Sequence, residues 1–357
     1  MKTNAAALAA VTGLSISVGT WDAKAESAVF GVVDMALDIS KQGLGTLTRL
    51  QSGSEWGSRF GIKGDERISP DLSAVYWLES GFGADDGMSQ QGGRLFGRQI
   101  YMGLSSEQVG RLTFGRQYSP ENRMFWNIDA FNAGLAGGLP AIIPAGVARA
   151  TLGRVDNSIL WTSPGRLPGV TYVMYAPGEV AGSQRAGRMW GVSTRQKNDV
   201  VDFNIGFVTR RNTTDTGKLQ AFTMGGNYAV GPAKLFTGWH RDWNSQANTP
   251  STKGPEQVYD MFPFGVKYGV GAHTTLIAQF VLVKDRTQGV ANRNTNLIAI
   301  GGHYALSKRT VLFAAVGRIL NKNGSQYSLG GGLYAGGTVG PGNPTARTVQ
   351  IGMRHNF

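Results

Sequence analysis

A chain of 357 residues with no cysteine, 52 glycines and a formal net charge of +12 excludes several classes at once. Thiolate metal sites and a cysteine nucleophile are impossible, and the glycines, at roughly twice their usual share of about 7%, lack the period of three that collagen needs. The basic residues lie singly along the chain rather than in patches with interleaved aromatics, which argues against nucleic acid as a partner.

In chain order, Met1 and Lys2 precede a small, apolar run over residues 5–18, and Ala23-Lys24-Ala25 follows. A basic start, a short apolar core and an A-x-A exit are the parts of a secretory signal peptide. Residues 1–25 are therefore expected to be removed, leaving 26–357 as one domain that begins at Glu26. No later segment offers the run of about 18 apolar residues that a transmembrane helix needs. The longest uncharged stretch, 130–147, carries Pro140, Pro144 and several glycines and reads as loop. An exported chain without a helical span is periplasmic, secreted, or an outer-membrane barrel.

Beyond residue 26 the dominant pattern has period two, the mark of a strand with one apolar face and one polar or small face. In the last segment Val349, Ile351, Met353 and Phe357 alternate with Thr348, Gln350, Gly352 and Asn356. The same alternation runs through 56–64, 201–210, 220–230 and 262–270. In 310–320, Leu312, Phe313, Ala314 and Ala315 leave the outward face ambiguous. Sixteen strands are expected, starting near Val29, Trp56, Asp71, Arg94, Gly110, Asn157, Val170, Arg188, Val201, Leu219, Ala233, Asp260, His273, Thr295, Arg309 and Ala346. Short turns alternate with long polar loops, as in outer-membrane barrels. A barrel of sixteen antiparallel strands leaves an aqueous channel, whereas eight would fill with side chains. One connection is unusually long: between Tyr118 and Val155 the chain has loop character with an apolar, Gly/Pro-rich centre from Ala133 to Pro140. Loops of this length are usually functional.

Catalysis finds no support. His240, His273, His303 and His355 lie singly, and neither G-x-S-x-G nor H-E-x-x-H occurs. No catalytic residue, cofactor or metal is expected, and Asp85-Asp86 reads as solvated loop.

Several segments together resemble the general trimeric porins of Gram-negative bacteria, in particular their beta-class proteobacterial branch. They are Phe30-Gly31-Val32-Val33-Asp34, Ser58-Arg59-Phe60-Gly61-Ile62-Lys63-Gly64, Leu78-Glu79-Ser80-Gly81-Phe82, Phe96-Gly97-Arg98-Gln99-Ile100-Tyr101-Met102-Gly103-Leu104, Leu112-Thr113-Phe114-Gly115-Arg116-Gln117-Tyr118, Leu306-Ser307-Lys308-Arg309-Thr310 and the terminal Ile351-Gly352-Met353-Arg354-His355-Asn356-Phe357. The resemblance implies a sixteen-stranded barrel in the outer membrane, a homotrimer, and a third loop folded into the lumen. It implies contact with the lipid bilayer and lipopolysaccharide, a loop at Asp85-Asp86 that latches a neighbouring subunit, and a terminal Phe357 recognised by the barrel-assembly machinery. It places Arg59, Arg98 and Arg154 in an arginine ladder at the constriction, with Arg116 as a further candidate and Asp129 as the opposing loop acid. The loop is poorer in carboxylates than is common in that family, which shifts the constriction toward positive potential. The implied function is passive diffusion of small hydrophilic solutes with a mild preference for anions. The alternative is a solute-specific channel with a binding site at the constriction.

Overall fold

A barrel crosses a membrane because closure pairs every backbone N–H and C=O with a neighbouring strand, leaving no edge exposed to lipid. The computed structural model has this form. It describes residues 25–42, 45–143, 153–245, 247, 251, 254–289, 292–329 and 345–357. The expected signal segment, apart from Ala25, lies outside the described residues. The strands are β1 (Ala25–Lys41), β2 (Thr46–Ser52), β3 (Arg59–Arg67), β4 (Leu72–Gly81), β5 (Gln99–Ser106), β6 (Gly110–Tyr118), β7 (Arg154–Thr162), β8 (Val170–Ala176) and β9 (Met189–Lys197). They continue as β10 (Val201–Arg211), β11 (Lys218–Val230), β12 (Ala233–Asn244), β13 (Gln257–Val270), β14 (Thr274–Asp285), β15 (Thr295–Ala305), β16 (Thr310–Asn321) and β17 (Thr345–Asn356).

All pairings are antiparallel, and β1 closes the ring against β17 in register from Val32↔Asn356 to Lys41↔Arg347. Its other edge pairs with β2 through residues 35–41 and with β3 through residues 25–32. β2 and β3 are thus halves of one stave, so the seventeen segments make sixteen staves. The expectation that this stave begins near Trp56 misses its first half. The interruption at 53–58 starts at Gly53, whose φ of +74° suits glycine. Asp34 holds it: its carboxylate accepts the N–H groups of Glu55 (3.3 Å) and Trp56 (2.9 Å), and its own N–H donates to Ser58 Oγ at 3.0 Å.

The period-two pattern sorts as the physics requires. On β10, Val201, Phe203 and Ile205 face out, while Asp202 and Asn204 are buried inside. The barrel seam is sealed at its end by Phe357, which exchanges two backbone hydrogen bonds with Gly31. A side chain at Gly31 would collide with the Phe357 ring, the nearest atom lying 2.0 Å from an added Cβ.

The inner wall is not uniformly polar. Met261, Val281, Val283, Leu297 and Ile319 point inward from β13 to β16 and are at most 1% exposed. The third loop covers them with Leu139, Ile142 and Ile143, and Leu329 of the last loop joins the same cluster. The lumen is a water-filled space, so the hydrophobic effect acts there at full strength, about 1.5–3 kcal/mol per fully buried aliphatic side chain. This resolves the ambiguous segment 310–320. Leu312 and Val316 face out, whereas Phe313, Ala315 and Ile319 face in beneath the loop.

Candidate functional site

The third loop leaves β6 at Tyr118 and turns into a helix, Pro120–Ile128. Ser119 caps it by accepting the Asn122 N–H at 3.1 Å, and Pro120 occupies the first turn, where its missing N–H costs nothing. The helix packs on the inward face of β8 to β12. A row of glycines makes the close approach possible. An added Cβ at Gly206 would meet Met124 Sδ at 2.7 Å, and one at Gly238 would meet Ile128 Cγ2 at 2.9 Å. The row continues under the rest of the loop, with Gly265 beneath Ala130, Gly301 beneath Phe131 and Gly317 beneath Ala136. Glycines from β10 to β16 therefore line a shallow track in which the loop lies.

Asp129 fastens the loop to itself. Its oxygens accept the N–H groups of Phe131 (2.9 Å), Ala133 (2.8 Å) and Leu139 (2.8 Å). Ala133 and Leu135 sit at φ of 65° and 53°, a region that non-glycine residues rarely occupy, and these bonds hold the turn there. Gln279 of β14 joins loop to wall: its amide donates to Asp129 Oδ1 (2.9 Å) and Gly137 O (2.7 Å), and its oxygen accepts from Ala130 N (2.7 Å). The loop then reaches the interruption of the second stave, where Leu135 N donates to Ser54 O.

Beside the loop lies a cavity of about 840 Å³ within the barrel, lined by Arg59, Arg98, Arg154, Tyr118 and Trp126 among others. Arg59, Arg98 and Arg154 thus lie together on the wall of this cavity. Arg98 is 3% exposed and donates from Nε to Glu79 at 2.5 Å and from Nη2 to the Tyr118 hydroxyl at 2.9 Å. Arg154 Nη2 donates to the same hydroxyl at 3.0 Å, and Arg59 Nε is 3.5 Å from Glu79. Two guanidiniums flank one carboxylate and the third shares the Tyr118 hydroxyl, so the group carries a net positive charge.

Two expected members lie elsewhere. Arg116 pairs with Ile100 across β5 and shares the outer face with Phe114; its Nη1 holds Asp156 at 2.5 Å and it does not line the cavity. Asp129 is fully buried with both oxygens occupied, so it does not face the arginines. Burial is the largest influence on its carboxyl and raises its pKa, even though the loop N–H groups and the Gln279 amide oppose the shift.

Other contributors lie far apart in sequence. Arg195, Lys197, Lys234 and Lys267 also line the cavity; Lys267 and Lys197 sit on polar faces of alternating strands, a visible but unspecific signal. The acids there are engaged or buried. Glu55 is bound by Arg354 Nη1 (2.8 Å) and His303 Nε2 (3.0 Å), and Asp202 by Arg195 Nε (2.7 Å) and the Asn127 amide (3.1 Å). Glu121 is 2% exposed, and its Oε1 has no hydrogen-bond partner among the described residues.

Glu121 lies beside His240 and Asp242, a buried group that no sequence spacing reveals. His240 Nε2 is 2.9 Å from Asp242 and its Nδ1 is 3.9 Å from Glu121. Burial, and then the charge of Asp242, pushes the Glu121 carboxyl well above the ordinary carboxylate range. A raised value means that the seated helix favours protonated Glu121. That contribution is complete below the ordinary glutamate value and is lost as pH rises through the raised one. Open-channel noise should therefore grow with pH in the wild type, and Glu121→Gln, which keeps the shape without the titration, should flatten that growth. Single-channel recordings over a pH series check this, and an identical profile in the variant would contradict it.

A closed antiparallel barrel with an apolar outer face and a charged, loop-narrowed lumen defines a transmembrane diffusion channel. The chain belongs to the Gram-negative porin family, whose profile matches residues 5–324. It is an outer-membrane porin, a channel for passive diffusion. It is 28% identical over 342 residues to an outer membrane porin protein of Bordetella pertussis, covering 86% of this chain and 84% of that one. It is also 28% identical over 371 residues to outer membrane porin protein 32 of Delftia acidovorans, covering 96% of this chain and 98% of that one. Among solved structures it superposes on the anion-selective porin from Comamonas acidovorans with a TM-score of 0.80 at 22% identity, covering 94% of this chain and all of the other. These matches agree with the resemblance to the beta-class branch.

Proposed function

We propose that this porin conducts small anions in preference to cations, and that Arg59, Arg98 and Arg154 set the preference. The carrying observation is the imbalance of the cavity wall: seven basic side chains against three lining acids, each paired or buried, and Glu79 behind Arg59 and Arg98 as a fourth. A low-dielectric wall focuses such a field into the water between, and arginine keeps its charge at any ordinary pH. The name of the Comamonas structure, an anion-selective porin, accords with this reading. Removal of residues 1–25 as a signal peptide, a homotrimer, lipopolysaccharide contact and recognition of Phe357 by the assembly machinery complete the proposal. Exposure of Phe357 at 50% leaves its ring reachable.

A second reading, a solute-specific channel, draws on the apolar loop seat that fills one side of the lumen. Planar-bilayer recordings of refolded protein separate the two. Large steps whose current rises linearly with salt concentration support open diffusion, and a current that saturates as the salt is raised supports the specific channel.

A further inference from the structure

Trp126 is out of place for a pore wall. Its helix buries Met124, Phe125 and Ile128 against the barrel, yet Trp126 is 46% exposed and lines the cavity. Another indole, Trp56, already carries cations: the Arg354 guanidinium lies 4.4 Å from its ring centroid and that of Arg59 lies 5.4 Å away. Among the described residues, no cation covers the Trp126 ring. Its one aromatic neighbour among the described residues is Tyr118, at 5.7 Å between centroids and an interplanar angle of 69°. The indole remains 46% exposed beside this contact.

Tyr118 also fixes where the positive charge sits relative to that indole. Its hydroxyl binds both Arg98 and Arg154, and the Arg154 guanidinium lies 4.8 Å over the Tyr118 ring. One phenol thus joins an exposed aromatic surface to two guanidiniums. The indole and the Arg154 guanidinium lie 5.7 Å and 4.8 Å from that same phenol ring, close enough for a small ring bearing a carboxylate to be tried against both. An aromatic ring gains offset or edge contacts with indole beyond its area burial, and a carboxylate matches the planar fork of arginine.

We propose that the lumen holds a site for small aromatic carboxylates, with the ring on Trp126 and the carboxylate toward Arg154. This rests on the reading of the lumen as a conducting, basic pore, and it names the solute that such a pore retains longest. Aliphatic anions of equal charge meet the same arginines without the ring contact.

The test compares benzoate with cyclohexanecarboxylate, equal in charge and close in size, as blockers of chloride current through single refolded channels. Wild type should show a half-blocking concentration several-fold lower for benzoate, about fivefold if the ring contact has its usual strength. Trp126→Leu should abolish that ratio and Trp126→Phe should keep most of it, with each variant's own chloride current as reference. Equal block by the two acids in wild type would overturn the proposal, as would a ratio unchanged in Trp126→Leu. Absence of any chloride current from folded barrels would instead overturn the conducting-pore reading, and this site with it.

Discussion

Replacing Asp129 with alanine should release the third loop from its seat while leaving the barrel intact. The wild-type carboxylate accepts three backbone N–H groups and the Gln279 amide in a buried place. Its removal strands these donors away from water, and each buried unsatisfied donor costs about 1–3 kcal/mol. The left-handed turn at Asn132, Ala133 and Leu135 loses the bonds that hold it as well. The strands keep every ladder hydrogen bond, so far-UV circular dichroism and heat resistance of the folded band should match wild type. Single-channel currents should become noisy, with substates, and proteases should cut within the loop. A quiet channel with a protected loop would show that the apolar cluster alone keeps the loop in place.

Neutralising Arg59 and Arg98 together, as Arg59→Gln and Arg98→Gln, should remove most of the anion preference. Both guanidiniums share Glu79, so the double change lowers the charge of that group by two and leaves Glu79 balanced by Arg154 alone. A unit charge about 4 Å from a passing ion is worth about 1 kcal/mol in water-like surroundings and more beside a low-dielectric wall. Two such losses correspond to a change of roughly tenfold or more in the ratio of anion to cation permeability. The reversal potential across a salt gradient reads this directly. An unchanged potential would assign selectivity to Lys197, Lys234, Lys267 and Arg195 instead.

How much of this could be read from the chain depends on the range of the interaction involved. Alternation is local, and it revealed all sixteen staves. It missed Thr46–Ser52 because the second stave breaks at 53–58, and Asp34, which holds the break, sits on another strand. Leu312, Phe313, Ala314 and Ala315 defeat a two-face assignment because both faces bury apolar groups, one against lipid and one beneath the loop. The apolar centre of the loop was visible as composition, but its seat was not. The glycines beneath it come from separate strands, and only the barrel aligns them. The resemblance names Arg59, Arg98 and Arg154, and all three line one cavity. Period two alone would have placed Arg116 with Phe114 on the outer face. Asp129 misled because one of only two acids in a basic loop looks like a counter-charge, whereas three nearby N–H groups and one distant glutamine claim it.

The reversal potential of the wild-type channel across a tenfold potassium chloride gradient is the most direct measurement of the central claim. A potential of the sign set by chloride, weakening as salt screens the wall, is the expected result. A potential of the sign set by potassium would leave the porin standing and contradict the basic lumen as its selectivity filter.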